Sequence, residues 1–275
     1  MLQISDSIFV ETDFQGANVG AIVTAEGLVM IDAPFSPLDA VKWRAELDRQ
    51  GQVIYLINTE HHMDHATCDC LFPGTVVATQ WSRQALEQPG EAERARRRVE
   101  ELWPECRPIL ASYRPRLPTI TFSREMWLYL GGVALHLVAT PGHTPGGLAV
   151  HFPQERVLFT GDNVVCRYGP AFRDALPREW FNSLDLIEAL DVEVIVPGHG
   201  PACDKSYVAE FRGELEGYMA EVRDAIARGL TREETAERFE FLKRYAAGGN
   251  RPGPDGRPTP MQREGIMRVY ELLKG

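Results

Sequence analysis

The sequence predicts an α/β sandwich, in which two packed β-sheets carry helices on their outer faces. Short apolar segments separated by turn residues indicate strands, and amphipathic segments between them indicate helices. These elements fall into two successive strand-rich blocks that each end in helices, which is the order expected for a layered α/β fold. A length of 275 residues and a hydrophobic content of 44% suffice for a large core without disulfide bonds.

The first block alternates strand and helix patterns. Its strand segments are residues 8–10, 19–24, 28–31, 53–57 and 75–79. A helix is predicted over residues 38–49. We expect its buried side to carry Val41, Ala45 and Leu47. The segment 53–57 is apolar on both faces, which predicts a buried strand that leads directly into a histidine-rich loop.

Residues 81–118 differ in character from the strand-rich blocks. The segment is highly charged, contains several prolines and holds a dense run of arginines among glutamates. This pattern predicts a helical insertion or lid. Its arginines are expected to pair with neighbouring glutamates on a solvated helix face.

The second block closes the sandwich and leads into a helical extension. Its strand segments are residues 119–122, 126–130, 133–138, 148–152, 157–160 and 194–196, with a helix over 178–190 before the last. Helices are predicted over residues 207–228, 232–245 and 261–273, with a Gly/Pro-rich stretch before the last of them. The predicted organisation is a sandwich domain over residues 1–203, with the insertion inside it, and a helical C-terminal extension over residues 204–275.

Composition and charge exclude several function classes. Lys and Arg total 29 against 39 Asp and Glu, and the net charge of −10 argues against a nucleic-acid partner. No stretch approaches the roughly 18 apolar residues of a membrane span, and no signal-peptide pattern is visible at the N-terminus. Five cysteines form no disulfide framework. We expect a cytoplasmic protein with a small-molecule substrate and no membrane partner; the last helix either packs on the core or forms a homodimer interface.

Potential metal ligands follow four of the predicted strands. The segment 60–65, which reads EHHMDH, comes directly after the strand 53–57. His143, Asp162 and His199 each lie in a glycine-containing loop directly after a later strand. Imidazole and carboxylate groups bind divalent transition metals, and loops at strand ends commonly carry functional sites. The set therefore predicts a metal site at one edge of the sandwich.

This pattern resembles the signature of the metallo-β-lactamase-fold hydrolase superfamily: His-x-His-x-Asp-His, then a distant His, a bridging Asp and a final His. The resemblance covers roughly residues 4–200 and implies a four-layer αββα sandwich whose catalytic domain holds two divalent metal ions. It assigns His62 and His143 to the first metal, Asp64, His65 and His199 to the second, and Asp162 to both. Asp64 is also the expected catalytic residue, because it would orient the hydroxide between the metals.

The chain departs from this signature at its first position, where Glu60 stands in place of a histidine. Two interpretations remain open: Glu60 binds the first metal, or it fails to bind and leaves that site weak. A carboxylate is a competent ligand for zinc, manganese or iron, which favours binding. Zinc is the expected metal, and the added negative charge of Glu60 shifts the preference toward iron or manganese.

The resemblance implies a metal-dependent hydrolase that uses a metal-bound hydroxide to cleave a thioester, lactone or related acyl substrate. The segment 140–146, TPGHTPG, is similar to glyoxalase-II-type thioesterases and lactonases. Two alternatives remain: an iron-containing oxidoreductase or oxygenase of the same fold, and a β-lactamase-type amide hydrolase. Because the loop after Asp162 mixes aromatic and basic residues, we expect Arg167, Tyr168 and Arg173 to contact an anionic or aromatic group of the substrate.

Overall fold

The structure, a computed structural model, describes residues 1–110, 113–246 and 249–275. Within these residues the chain forms a mixed α/β fold with two sheets and eight α-helices. The strands are β1 (Leu2–Gln3), β2 (Ile8–Glu11), β3 (Val19–Thr24), β4 (Gly27–Ile31), β5 (Val53–Ile57), β6 (Thr75–Thr79), β7 (Ile120–Phe122), β8 (Glu125–Leu130), β9 (Val133–Ala139), β10 (Leu148–Phe152), β11 (Val157–Phe159) and β12 (Val194–Val196). The α-helices are α1 (Pro37–Gln50), α2 (Met63–Ala66), α3 (Gln80–Leu86), α4 (Glu91–Leu102), α5 (Pro177–Ala189), α6 (Lys205–Ala227), α7 (Arg232–Arg238) and α8 (Pro260–Lys274). No described helix combines the length and the apolar character that crossing a membrane requires.

The chain divides into two compact units. The first comprises residues 1–139 and 146–161, and the second comprises residues 140–145 and 162–275. The domain boundary predicted after residue 203 therefore falls inside the second unit. The helical extension belongs to the same unit as the loops that carry His143, Asp162 and His199.

The first sheet combines antiparallel and parallel strands. In the described residues its order is β1-β2-β3-β4-β5-β6-β7, antiparallel from β1 to β4 and parallel from β4 to β7. The parallel register pairs Met30 with Leu56 and Leu56 with Val76. Because parallel strands end at the same edge of a sheet, the polar residues after β4 and β5 come together at that edge.

The second sheet packs on the first within the first unit. Four of its strands follow one another in the order β11-β10-β9-β8, all antiparallel. A Cβ on Gly20 of β3 would lie 2.3 Å from the ring of Phe159 on β11, so glycine at this position lets the two sheets approach. The amide of Leu148 on β10 also donates to the carbonyl of Thr59, which follows β5, over 2.8 Å. These contacts confirm the two-sheet α/β fold class.

Helix α1 covers the face of the first sheet that lies opposite Gly20. Its side chains Ala40, Trp43 and Leu47 are buried in one cluster with residues of β3, β4, β5 and β6. The prediction that Val41 and Ala45 are buried is wrong: both are exposed, Val41 by 52%. Trp43 determines the orientation of the helix, because it is the largest apolar side chain and its burial is the most favourable. Val41, two residues earlier, lies on the other side of the helix and therefore faces solvent.

The insertion after β6 is helical, as predicted, although its residues 111 and 112 lie outside the described residues. Three arginines of α4 pair with glutamates on the same helix: Arg94 with Glu91 at 2.6 Å, Arg96 with Glu93 at 2.9 Å and with Glu100 at 2.8 Å, and Arg98 with Glu101 at 3.4 Å. This confirms the predicted solvated face, whose exposed pairs contribute little stability. On the opposite side of α4, Val99 packs in a cluster that contains Phe35 and Tyr113.

Aromatic side chains form the core of the second unit. Phe172 stacks on Tyr218 with ring centroids 4.2 Å apart, and it also contacts Trp180, which is fully buried. The single helix predicted over residues 232–245 is wrong, because α7 ends at Arg238 and a separate 3-10 helix covers Phe241–Tyr245. The break lets Phe239 and Phe241 both contact Tyr218.

We expect Trp43→Ala to destabilise the protein by about 3–5 kcal/mol, because it opens a cavity between α1 and the first sheet. Val41→Ala on the same helix is the matched control, with an expected change of about 0.5 kcal/mol or less because Val41 is exposed. Urea unfolding followed by circular dichroism measures both values. Equal losses of stability in the two variants would contradict the observed orientation of α1.

Candidate metal centre

The first unit carries a cluster of Glu60, His62 and His65 directly after β5. One carboxylate oxygen of Glu60, Oε2, lies 3.0 Å from Nδ1 of His62, and the other, Oε1, lies 3.2 Å from Nε2 of His65. Glu60 is only 2% exposed and His65 is fully buried. Asp64 lies beside His65 in the short helix α2 and is partly buried. The carboxylate of Glu60 therefore presents one oxygen to each of two imidazole rings.

Asp32, which follows β4, fixes the orientation of His65. Its Oδ2 lies 2.9 Å from Nδ1 of His65 and accepts a hydrogen bond from the Thr59 hydroxyl at 2.6 Å, while its Oδ1 accepts from the Thr59 amide at 2.7 Å. Burial raises the pKa of Asp32, and the hydrogen bonds from His65 and Thr59 act in the opposite direction. When Asp32 is ionised it accepts from Nδ1 of His65, and Nε2 of a neutral ring then carries the lone pair that faces Glu60.

The second unit carries a cluster of His143, Asp162 and His199, which follow β9, β11 and β12. Oδ2 of Asp162 lies 3.6 Å from Nε2 of His143 and 3.3 Å from Nε2 of His199. Nδ1 of His143 donates to the carbonyl of Ala171 over 2.9 Å, and the His143 amide donates to Oδ1 of Asn163 over 3.0 Å. Nε2 of a neutral His143 therefore carries the lone pair that faces Asp162.

The geometry of both clusters fits divalent metal ions. In neutral His65 and His143, a nitrogen lone pair faces a carboxylate oxygen, and the two atoms repel each other. A cation between them would attract both atoms. The donor separations in the clusters are 3.0, 3.2, 3.3 and 3.6 Å. Two ligands of a tetrahedral ion with bonds of about 2.0–2.1 Å lie about 3.3 Å apart, which matches these values. Imidazole with carboxylate is a donor set for zinc, iron or manganese.

The loop after β11 brings one of its three predicted substrate-binding residues to the second cluster. The ring of Tyr168 stacks on His199, with centroids 4.5 Å apart and an angle of 20° between the planes. Arg167 is exposed, and its backbone amide donates to the Tyr207 hydroxyl over 2.9 Å. Arg173 instead forms an ion pair with its neighbour Asp174 at 3.0 Å.

Sequence reasoning missed three buried polar residues that support the first cluster: Asp32, Asn58 and Asp69. The side-chain amide of Asn58 donates to Oδ1 of Asp69 over 3.2 Å and to the carbonyl of His65 over 3.3 Å. Burial raises the pKa of Asp69 well above its usual range, which favours the neutral acid. Asp32 and Asn58 directly follow adjacent strands, and that position was the available signal. Asp69 has no such signal in the sequence.

Comparisons with known proteins agree with this arrangement. A family model described as the metallo-beta-lactamase superfamily matches residues 12–199. A hydroxyacylglutathione hydrolase from Brucella ovis is 27% identical over 163 residues, which are 58% of this chain and 51% of that protein. A linear primary-alkylsulfatase from a Pseudomonas species is 29% identical over 137 residues, which are 45% of this chain and 26% of that protein. A metallo-beta-lactamase family protein from Thermus thermophilus has a TM-score of 0.71 and 17% identity, covering 99% of this chain and 95% of that one.

The extent of these matches determines what each supports. The family model covers more than half of the chain and contains every residue of both clusters. The chain matches about half of the length of the hydroxyacylglutathione hydrolase and about a quarter of the alkylsulfatase. The solved structure, at 17% identity, shows the shared fold.

We expect Asp69→Asn to reduce the loss of stability toward alkaline pH. Folding raises the pKa of Asp69, so its contribution to stability is complete below the unfolded pKa of about 3.9 and is lost as pH rises through the folded pKa. Asparagine resembles the neutral acid and does not ionise. The measurement is the difference in Tm between variant and wild type from pH 4 to pH 9, which should shift in favour of the variant as pH rises. A difference that is constant over this range would contradict the assignment.

Proposed function

The chain belongs to the metallo-β-lactamase superfamily, and from this membership and its two donor clusters we propose that it is a hydrolase with a dinuclear metal site. The observation that carries the proposal is the set of imidazole–carboxylate separations of 3.0–3.6 Å in the two clusters. In the proposed site, Glu60, His62 and His143 hold one ion, Asp64, His65 and His199 hold the other, and Asp162 contacts both. Zinc is the proposed metal, with iron or manganese as alternatives.

Two divalent ions in this site supply Lewis-acid polarisation of the scissile group and lower the pKa of water toward neutrality. The residues of the chain orient the attacking water and the imidazole rings. Asp64 accepts a hydrogen bond from the attacking water and holds it in line with the scissile carbon. Asp32 and the carbonyl of Ala171 hold His65 and His143 in the tautomer that offers Nε2.

Glu60 gives the proposed site a negative charge and two oxygen donors, which a histidine at this position would not supply. Its two oxygens face two different imidazoles, those of His62 at 3.0 Å and His65 at 3.2 Å, and each oxygen is a potential ligand atom. The extra negative charge favours harder cations over zinc. The same observation supports the second candidate function, an iron-containing oxidoreductase of this fold.

We propose an ester-like acyl compound, a thioester or a lactone, as the substrate. The similarity to a hydroxyacylglutathione hydrolase supports this class, and the exposed Arg167 is available to an anionic group of such a substrate. In the first unit, a small cavity of about 20 Å³ lies between the motif segment at His61 and Met63 and the insertion at Ala92 and Tyr113. We propose that the insertion acts as a lid beside the segment 60–65, which it contacts around this cavity.

A change at Glu60 is expected to alter the metal preference of the site. Glu60→His removes a negative charge while keeping a ligand, so the ratio of bound zinc to bound iron should rise at least several-fold. Glu60→Gln keeps the size but weakens the ligand, so the total metal content should fall. Elemental analysis of protein purified from cells grown with equal zinc and iron measures both changes. An unchanged ratio and content in both variants would show that Glu60 is not a ligand.

The proposed activity is tested with thioesters, lactones, β-lactams, phosphodiesters and alkyl sulfates, assayed with metal-loaded protein. We expect hydrolysis of a thioester or lactone, and a decrease in kcat of about 10²–10⁴-fold in Asp64→Asn. Asp48→Asn, at an exposed position on α1, is the control and should retain full activity. A protein that retains its metal but hydrolyses none of the thioesters or lactones would contradict the proposed substrate class.

A further inference from the structure

His199 is held against an aromatic ring that the preceding loop supplies. Tyr168 stacks on the imidazole at a centroid distance of 4.5 Å and an angle of 20°. The backbone fixes the same two segments to each other, because the amide of Cys166 donates to the carbonyl of His199 over 2.8 Å and Val165 forms a parallel bridge with His199. Rotation of the His199 ring is therefore restricted on the face that Tyr168 covers.

Gly249, in the segment that leads to α8, determines where the ring of Tyr168 can lie. The backbone of Gly249 forms a parallel bridge with Tyr168, and its carbonyl accepts a hydrogen bond from the Gly169 amide at 3.1 Å. A Cβ at position 249 would lie 1.6 Å from Cε2 of Tyr168. Any other residue at this position would displace the ring from His199, so the contact requires glycine.

The segment at Gly249 is in turn anchored to α8. The side chain of Asn250 donates to the carbonyl of Gly169 over 2.8 Å, and the side chain of Gln262 donates to the carbonyl of Asn250 over 2.6 Å. Gln262 is only 6% exposed and forms the capping box of α8 with Thr259. A continuous set of contacts therefore connects α8 to the ring that covers His199.

We infer that Tyr168 is a positioning residue for His199, and that Gly249 and the C-terminal extension maintain this position for metal binding. The inference rests on the proposed function, in which His199 is a ligand. An imidazole that is already oriented loses little freedom when it binds an ion, which strengthens binding. This role is distinct from the substrate contact expected for Tyr168 from the sequence.

The test measures the Zn²⁺ affinity of the whole chain by competition with a chromogenic chelator, and the visible spectrum of the Co²⁺-loaded protein. Tyr168→Ala should weaken the binding of one of the two ions about 10–100-fold. Tyr168→Phe keeps the ring and should bind within about threefold of wild type. Gly249→Ala should weaken the same ion. Gly213→Ala, where an added Cβ has no atom within 4 Å, is the matched control and should change nothing.

The double variant Gly249→Ala/Tyr168→Ala separates positioning from general damage to the fold. If Gly249 acts through the ring, the double variant binds Zn²⁺ no more weakly than Tyr168→Ala alone. Additive losses of Zn²⁺ affinity in the double variant would overturn the inference. Wild-type affinity and Co²⁺ spectra in both single variants would overturn it as well. In either case, binding of two ions by the wild type leaves the proposed function intact. A wild-type chain that binds no Zn²⁺ or Co²⁺ would overturn both. Unfolding temperatures of all variants show whether each remains folded.

Discussion

Glu60 places a carboxylate that is only 2% exposed between the nitrogens of two histidines, and the whole site depends on how that charge is compensated. A buried charge costs several kcal/mol unless an opposite charge or strong hydrogen bonds balance it. Asp162, which is partly exposed, lies in a similar way between the imidazoles of His143 and His199 in the second unit. In the proposed site, divalent cations would balance the charge of both carboxylates, so we expect metal binding and stability to be coupled.

The remaining contacts keep each imidazole ready for a cation. The carboxylate of Asp32 and the carbonyl of Ala171 accept hydrogen bonds from Nδ1 of His65 and of His143, which leaves Nε2 of each ring for the proposed metal. Tyr168 restricts the ring of His199 by stacking on it. In both units, strand ends supply the candidate ligands and the residues that orient them. A loop that begins at a strand end starts from a fixed position in the fold.

The parts of the fold and of the candidate site that the sequence predicts are those that depend on local sequence patterns. Strand β3 is predicted with the bounds that the structure gives it, because its apolar run is a clear strand pattern. The clustered motif at residues 60–65 indicates the loop that brings Glu60, His62 and His65 together. The orientation of α1 was wrong because it depends on where Trp43 finds room in the core. The contact that Asn250 makes with Gly169, 81 residues away, depends on tertiary packing that no local pattern encodes.

Anomalous X-ray diffraction from crystals grown with Zn²⁺, recorded on both sides of the zinc edge, tests most directly whether the two clusters form one dinuclear site. We predict two zinc peaks about 3.5–4 Å apart, with Glu60 and His62 at one, His65 and His199 at the other, and Asp162 in contact with both. Peaks elsewhere on the chain, or none at these residues in Zn²⁺-saturated crystals, would contradict it.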